Sequence, residues 1–412
     1  MRILWQSNAP WVPTGYGTQA NSLIPRLLAM PEVEDVGVFA FYGIQGAKTR
    51  QRIGVSTISG DTKPRTHWIA GPNWIDCYPI RSDMWGNDVV GDHALDFKAD
   101  IVISLMDIWV LADDYGNKGF RWVPYMPIDM EPPPPPVINK MRRAYLPIVY
   151  SQFAKKWCDR FGIETVYIPH GVETQIYKPY PHAKDREEAK ELLGVPKDCF
   201  LVGTVAANKG FPSRKGFGEL FAAFKIFRER HTDARLYMHS IFTSEYGGPQ
   251  LQEMAEAYGI RQYISFVDPY KLSLGIDTEH MNMIYNAMDV FCLPSRGEGF
   301  GIPIIEAQAS GTPVIVTDFT SMPELVGAGW TVPVVANDYM PLQSWQGIAS
   351  VPHIVDALEE AYKTPRKRIS KQARDFALKY DWDALVETGW KPLIKRLHEE
   401  VDPRTYMSGK GE

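Results

Sequence analysis

A chain of 412 residues exceeds what one hydrophobic core usually holds and predicts two domains of roughly 150–200 residues each. Its 45% hydrophobic and 23% charged content is that of an ordinary globular protein, and its formal charge of -5 argues against broad non-specific binding to nucleic acid or anionic membranes, though not against a local basic site. Four widely spaced cysteines, Cys77, Cys158, Cys199 and Cys292, give neither a zinc pattern nor a disulfide framework and point to a reducing compartment.

Along the chain, short apolar runs alternate with longer amphipathic ones. The first residues, MRILWQSNAP, run straight into a strand without a signal-peptide pattern, and no later run reaches the roughly 18 apolar residues of a membrane span. RILWQ (Arg2–Gln6), VGVFAFYG (Val36–Gly43), DIVISLMD (Asp100–Asp107) and RWVPYMP (Arg121–Pro127) are predicted strands. LPIVYS (Leu146–Ser151) and ETVYIPHG (Glu164–Gly171) complete that sheet. GYGTQA (Gly15–Ala20), after the first strand, formally satisfies the dinucleotide fingerprint G-x-G-x-x-A. NAPWVPT intervenes where that fingerprint needs a tight turn, and the next strand lacks the acidic residue that would hold a ribose. What survives is a glycine loop opening a helix, able to offer backbone N–H groups to a phosphate or sugar. The aromatic residues Trp68, Trp74, Tyr78 and Trp85 could stack on sugars or bases, but such residues more often cap a core or a lid. MEPPPPPVINKMRRAY (Met130–Tyr145) reads as a stiff loop within the first domain.

Prolines and charges cluster at YKPYPHAKDREEAKELLG (Tyr177–Gly194), which ends a first domain at 1–178 and begins a second at residue 179. Beyond it FLVGTVA, ARLYMHSI, ISFVDPY, DVFCLPS, TPVIVTD and GWTVPV repeat the strand pattern, with FGELFAAFKIFRER and PQLQEMAEAYG as amphipathic helices. Strand–helix alternation in both halves predicts an α/β protein of two doubly wound, Rossmann-like domains with parallel sheets covered on both faces.

RGEGFGIPIIEAQASGTPVIVTD (Arg296–Asp318) carries the chemistry. DVFCLPS is a buried strand, so RGEGFG leaves its carboxyl end, where open α/β sheets bind ligands. Pro303 suits the first turn of a helix that runs to Gly311. Glu298 then sits in the loop, Glu306 a turn into the helix, and the N–H groups of Gly299, Phe300 and Gly301 face outward as anion donors. Carboxylates repel phosphate and accept strongly from hydroxyls, so the layout fits phosphate lying between hydroxyl groups, as in a nucleotide sugar.

This stretch resembles the E-x7-E motif of retaining glycosyltransferase family 4, of GT-B fold. YIPHGVETQIYKP (Tyr167–Pro179) is similar to that family's interdomain signature, with His170 where asparagine is usual. IYNAMDVFCLPS, GTVAANKGFPSRKGFGELFAAF and YDWDALVETGWKPLI resemble its donor-loop strand, its basic loop and its C-terminal helix, and the last implies that the second domain is 179–380 and that 381–412 crosses back onto the first domain. The resemblance implies two domains facing an interdomain cleft and transfer of a sugar from a nucleoside-diphosphate sugar to a hydroxyl acceptor. It assigns Glu306 to the donor's ribose, Glu298 to the sugar hydroxyls, and the Gly299–Gly301 amides to sugar and phosphate, with Gly15 and Gly17 approaching the donor from the first domain.

A diphosphate leaving group needs positioned cations. Lys215 matches the family's lysine, and either Lys209 or Arg214 its arginine. Where many members carry a first-domain histidine, SLMDIW and YMPIDMEP supply Asp107 and Asp129, candidates to orient the donor sugar, accept the acceptor's proton or bind acceptor hydroxyls. His170 is read as a structural hydrogen-bond partner. No cofactor beyond the donor is expected, and no catalytic metal, because DWD (Asp381–Asp383) follows no strand. The expected location is cytoplasmic, a host cytoplasm if the gene is viral. A nucleotide-sugar epimerase or hydrolase and a non-catalytic glycan-binding protein are the alternatives. A nucleic-acid acceptor is the minority reading, requiring Lys140, Arg142 and Arg143 to gather into a groove.

Overall fold

The computed structural model describes residues 1–52, 74–210 and 212–401, which leaves Trp68 outside. The chain divides into two compact units: Met1–Pro127 with Pro135–Gly171 and Trp382–Glu412, and Ile128–Pro134 with Val172–Asp381.

The first unit holds β1 (Arg2–Asn8), β2 (Asp35–Tyr42), β3 (Thr49–Arg52), β4 (Trp74–Pro79), β5 (Ile101–Leu105), β6 (Arg121–Met126), β7 (Ile148–Val149) and β8 (Val166–Tyr167). Their order is β3-β4-β2-β1-β5-β6-β7-β8, parallel except that β3 runs antiparallel to β4. β1 and β5 are buried almost end to end and mostly apolar, and their buried polar residues are partnered: Gln6 Nε2 donates to the Trp85 carbonyl, Ser7 Oγ to the Leu105 carbonyl, and Ser104 Oγ accepts from Trp122 Nε1. The chain leaves β1 toward β2 on one side and returns to β5 on the other, so a topological switch point lies between β1 and β5. Helices Trp382–Leu385 and Lys391–Val401, joined through a π turn at Val386–Trp390, belong to this unit. Trp390 is fully buried, 5.2 Å between ring centroids from Tyr125 and 6.4 Å from Trp5, and Asp383 pairs with Arg26 at 2.8 Å.

The second unit is a six-stranded parallel sheet of β9 (Phe200–Val205), β10 (Ala234–His239), β11 (Ile264–Phe266), β12 (Val290–Leu293), β13 (Val314–Thr317) and β14 (Gly329–Val332), in the order β11-β10-β9-β12-β13-β14. Its switch point lies between β9 and β12. Helices Phe217–Arg230 and Val351–Lys363 cover it through a core that includes Phe217, Phe221, Phe224 and Leu358. β15 (Val334–Met340) and β16 (Ser344–Ala349) form a separate antiparallel hairpin.

Three features depart from the sequence reading. β3, β4, β15 and β16 were not anticipated. The passage into the second unit falls at Gly171/Val172 instead of Lys178/Pro179, because the amides of Lys178 and Tyr180 are taken by Asn282 and Asn286 of that unit. The proline segment is not wholly a first-domain loop: Ile128–Pro134 belongs to the second unit, where Glu131 N–H donates to Trp345 O at 3.2 Å and Ser344 Oγ donates to the Pro132 carbonyl. Lys140 is buried against Asp113 at 3.1 Å, and Arg143 donates to the Asp113 carbonyl at 2.6 Å, so two of the three cations named for a basic groove are turned to one acidic residue.

Candidate functional site

Two loops meet at the switch point of the second unit, one leaving β9 and one leaving β12. Gly216 lets them meet: its φ is +64°, and a Cβ there would lie 2.0 Å from the Pro294 carbonyl oxygen. Arg296 N–H donates to the Arg214 carbonyl at 2.7 Å, pinning loop to loop. Arg296 also pairs with Glu219 at 2.7 Å and with Asp338 at 2.5 Å, so helix Phe217–Arg230 and the hairpin are fastened to the same point.

This junction brings Arg214, Lys215 and Glu298 together. Lys215 Nζ donates to Glu298 Oε1 at 2.6 Å, Ser295 Oγ donates to the same oxygen at 2.6 Å, and Arg214 Nη1 donates to Oε2 at 2.9 Å and to the Gly297 carbonyl. Glu298 is only 6% exposed. Burial opposes its ionisation, but the charges of Arg214 and Lys215 outweigh it and hold the carboxyl at about 2. Lys215 is lowered by burial and by its neighbour Arg214, with the Glu298 carboxylate acting the other way. The sequence reading turned the cations to diphosphate and Glu298 to sugar hydroxyls. In the structure they face each other.

Asp129 joins this cluster as part of the second unit. A Cβ on Gly297 would lie 2.1 Å from the Asp129 carbonyl oxygen, so glycine is needed for the two backbones to pass, and Arg214 Nη1 lies 3.8 Å from Asp129 Oδ2. Burial raises the Asp129 carboxyl and Glu298 adds to it, with Arg214 opposing. Lys209 is not in the cluster: it is exposed, with Nζ 5.6 Å from the Tyr246 ring.

Gly299, Phe300 and Gly301 are buried immediately before helix Ile302–Ala309, and Ser321 Oγ lies 2.7 and 2.8 Å from the carbonyl oxygens of Glu298 and Phe300. Glu306, on that helix, accepts from Tyr285 Oη at 2.7 Å, and Tyr177 also hydrogen-bonds its carboxyl. Burial raises the Glu306 carboxyl despite both phenols.

At the first unit's switch point, Gly15 opens helix Gly15–Leu28 and is exposed. Gly17 is buried, and its N–H donates to the capping Thr14 Oγ1 at 3.1 Å, so that amide serves the helix start. Asp107 follows β5, with Tyr16 Oη 3.4 Å from its Oδ2. His170 is buried between Tyr125 and Tyr150, with Nδ1 3.0 Å from Tyr125 Oη, and burial holds its imidazole down at about 3. In DWD, Asp381 accepts from Thr174 Oγ1 and Asp383 from Arg26. Of the aromatic group, Trp74 is exposed, Tyr78 is buried and Trp85 packs edge-on to Phe41 at 5.4 Å.

Sequence reasoning missed Tyr177, Tyr285, Ser295 and Arg296. The last two flank the loop that carries Glu298 and could have been found by asking what a buried glutamate needs. The tyrosines sit in segments whose pattern says nothing of their partner.

Residues 197–343 match the family model for glycosyl transferases group 1. The chain is 29% identical over 228 residues to a D-inositol 3-phosphate glycosyltransferase of Corynebacterium aurimucosum, covering 53% of this chain and 48% of that one. It is 32% identical over 183 residues to the lipopolysaccharide core biosynthesis mannosyltransferase LpsB of Rhizobium meliloti, covering 40% and 44%. Its match thus spans about half the length of these curated relatives. Among solved structures, sucrose-phosphate synthase from Thermosynechococcus elongatus superposes with a TM-score of 0.70 at 16% identity, over 97% of this chain and 100% of that one. Anabaena Alr3699/HepE in complex with UDP-glucose gives 0.66 at 17%, over 96% and 100%. These likenesses establish the fold as GT-B.

Proposed function

We propose, for a chain whose residues 197–343 match the model for glycosyl transferases group 1, that it is a retaining, metal-independent transferase moving a hexose or pentose from a nucleoside-diphosphate sugar to a hydroxyl acceptor in the cytoplasm. The observation that carries the reading is the convergence of Arg214, Lys215 and Glu298 at the β9/β12 switch point, with Glu306 one helix turn away. Two cations and a helix start suit a diphosphate, and two carboxylates suit the hydroxyls on either side of it. The names of the relatives and the UDP-glucose held by one structural neighbour support the donor class. Retention follows from the family resemblance.

The donor diphosphate would exchange with Glu298 for Arg214 and Lys215, freeing Glu298 to accept from sugar hydroxyls while Glu306 accepts from the ribose. As the bond from the sugar carbon to the diphosphate breaks, charge gathers on the leaving oxygen, where the two cations stabilise it. Asp129, with its raised carboxyl beside Arg214, is our candidate to orient the sugar or take the acceptor's proton, and Asp107 and Gly15 are candidates on the first unit.

The test is mass spectrometry after incubation with uridine, guanosine and adenosine diphosphate sugars, with and without sugar and DNA acceptors. Release of one diphosphate with a glycosylated product, lost in Glu306→Ala, is the expected result. Diphosphate released without a glycoside would replace the reading by donor hydrolysis. No turnover and no donor binding would withdraw the enzymatic claim.

A further inference from the structure

The β15–β16 hairpin is fastened to the site and leaves one face open. On the anchored face Asp338 pairs with Arg296, and its cross-strand partner Gln346 is buried. Along the edge of β16, Gly347 N–H donates to the Arg296 carbonyl at 2.8 Å. On the other face Tyr339 and Trp345 sit directly opposite each other, ring centroids 4.9 Å apart and tilted by 64°. Such a cross-strand pair helps zip a two-stranded ribbon. That role does not require exposure, yet Tyr339 is 60% and Trp345 42% exposed.

This face leads to the candidate site. Gly347, two residues on and so on the same face as Trp345, lies against the Phe319 ring. The same ring borders Gly297, whose backbone passes Asp129. From the other side the Trp345 carbonyl accepts from Glu131 N–H, two residues beyond Asp129. An exposed carboxylate borders the pair: Glu131 is bridged to Trp345 and open to solvent. An open aromatic pair beside a carboxylate suits a neutral polyhydroxyl ring, whose C–H face stacks on the aromatics while its hydroxyls donate to the acid, and disfavours a polyphosphate.

We propose that Tyr339 and Trp345 form a stacking platform for a sugar ring of the acceptor, so that the acceptor is a carbohydrate: an oligosaccharide or a glycoside. The inference rests on the transferase reading for the word acceptor; the platform itself is tested without turnover.

The full-length protein is run through native gels containing amylose, hydroxyethyl cellulose, dextran or mannan, and beside them a gel shift uses single-stranded DNA. At least one polysaccharide retards the wild type. Trp345→Ala and Tyr339→Ala each weaken that binding about tenfold, the usual weight of an aromatic anchor, and Trp345→Phe retains most of it. UDP and GDP binding stays as in the wild type, and the melting temperature falls by no more than the few degrees expected from loss of one cross-strand pair. Failure of every polysaccharide to retard the wild type overturns the platform, as does equal retardation of the alanine variants. DNA binding lost in those variants, without glycan binding, would make it a nucleobase platform instead. The two readings fail separately. Glycan binding lost in the variants, with no donor consumed by the wild type, removes the transferase and leaves the platform. Donor turnover with glycan binding indifferent to both residues does the reverse.

Discussion

Glu298 shows how far a residue's chemistry depends on its neighbours. Its place in a glycine-rich loop at a strand end was legible, because the strand, the glycines and Pro303 are all local signals. That both oxygens are held by Arg214, Lys215 and Ser295 was not, since the basic loop lies more than eighty residues earlier in the chain. If the cations serve the leaving diphosphate, Lys215→Ala lowers kcat about 10²–10³-fold with a smaller change in KM. A change confined to KM, in steady-state kinetics on the identified donor, would assign Lys215 to ground-state binding alone. His170 gives a second residue-scale prediction. Its imidazole has a folded value of about 3 against 6.5 unperturbed, so the unfolded chain takes up a proton that the native one refuses. The stability is intact above about pH 6.5 and declines as pH falls toward 3, by about 1.4 kcal/mol per pH unit for one proton. His170→Asn keeps a hydrogen-bonding side chain opposite Tyr125 and flattens that decline. Parallel acid profiles of melting temperature in the two proteins would show instead that His170 is charged in the fold.

Among the elements, the central strands were legible and the peripheral ones were not. β1, β5, β9 and β12 are largely buried on both faces, so their sequences are predominantly apolar over short stretches, a pattern that few other structures accommodate. The hairpin strands VVANDYM and SWQGIA show no clean alternation, and their turn places Gln343, not glycine, at φ +59°. Nothing in that stretch meets the usual hairpin signal. Gly216 is the element-scale test of the site. Alanine there would need a left-handed backbone and would meet Pro294, which should cost about 1–3 kcal/mol. The urea midpoint should fall with an unchanged slope, and activity should fall further than stability, because Lys215 is the adjacent residue. An unshifted midpoint with full activity would show that the two loops separate without consequence.

At the scale of the molecule, chain order and unit membership part company twice. Ile128–Pro134 lies within the first half of the sequence but belongs to the second unit, and Trp382 onward returns to the first. Trp390, Leu393, Ile394 and Leu397 are buried in that return, and Arg26 meets Asp383 across 357 residues of sequence. Ending the chain at Asp381 should therefore strip core from the first unit alone. Calorimetry should show one transition moved to much lower temperature and a second kept near its wild-type position. Equal loss from both, or from neither, would contradict the assignment of the segment to one unit.

The sequence by itself determined the α/β class, most strands of both sheets, the loop and helix that hold Glu298 and Glu306, and the family resemblance. These follow from periodicity and turn chemistry, which act over a few residues. Tertiary structure alone decided that Arg214 rather than Lys209 faces Glu298, that two tyrosines hold Glu306, and that Asp129 joins the second unit. An apolar or charged side chain carries no label for its partner. Only closure of distant segments sets the distances and the burial on which ionisation, and hence chemistry, depends.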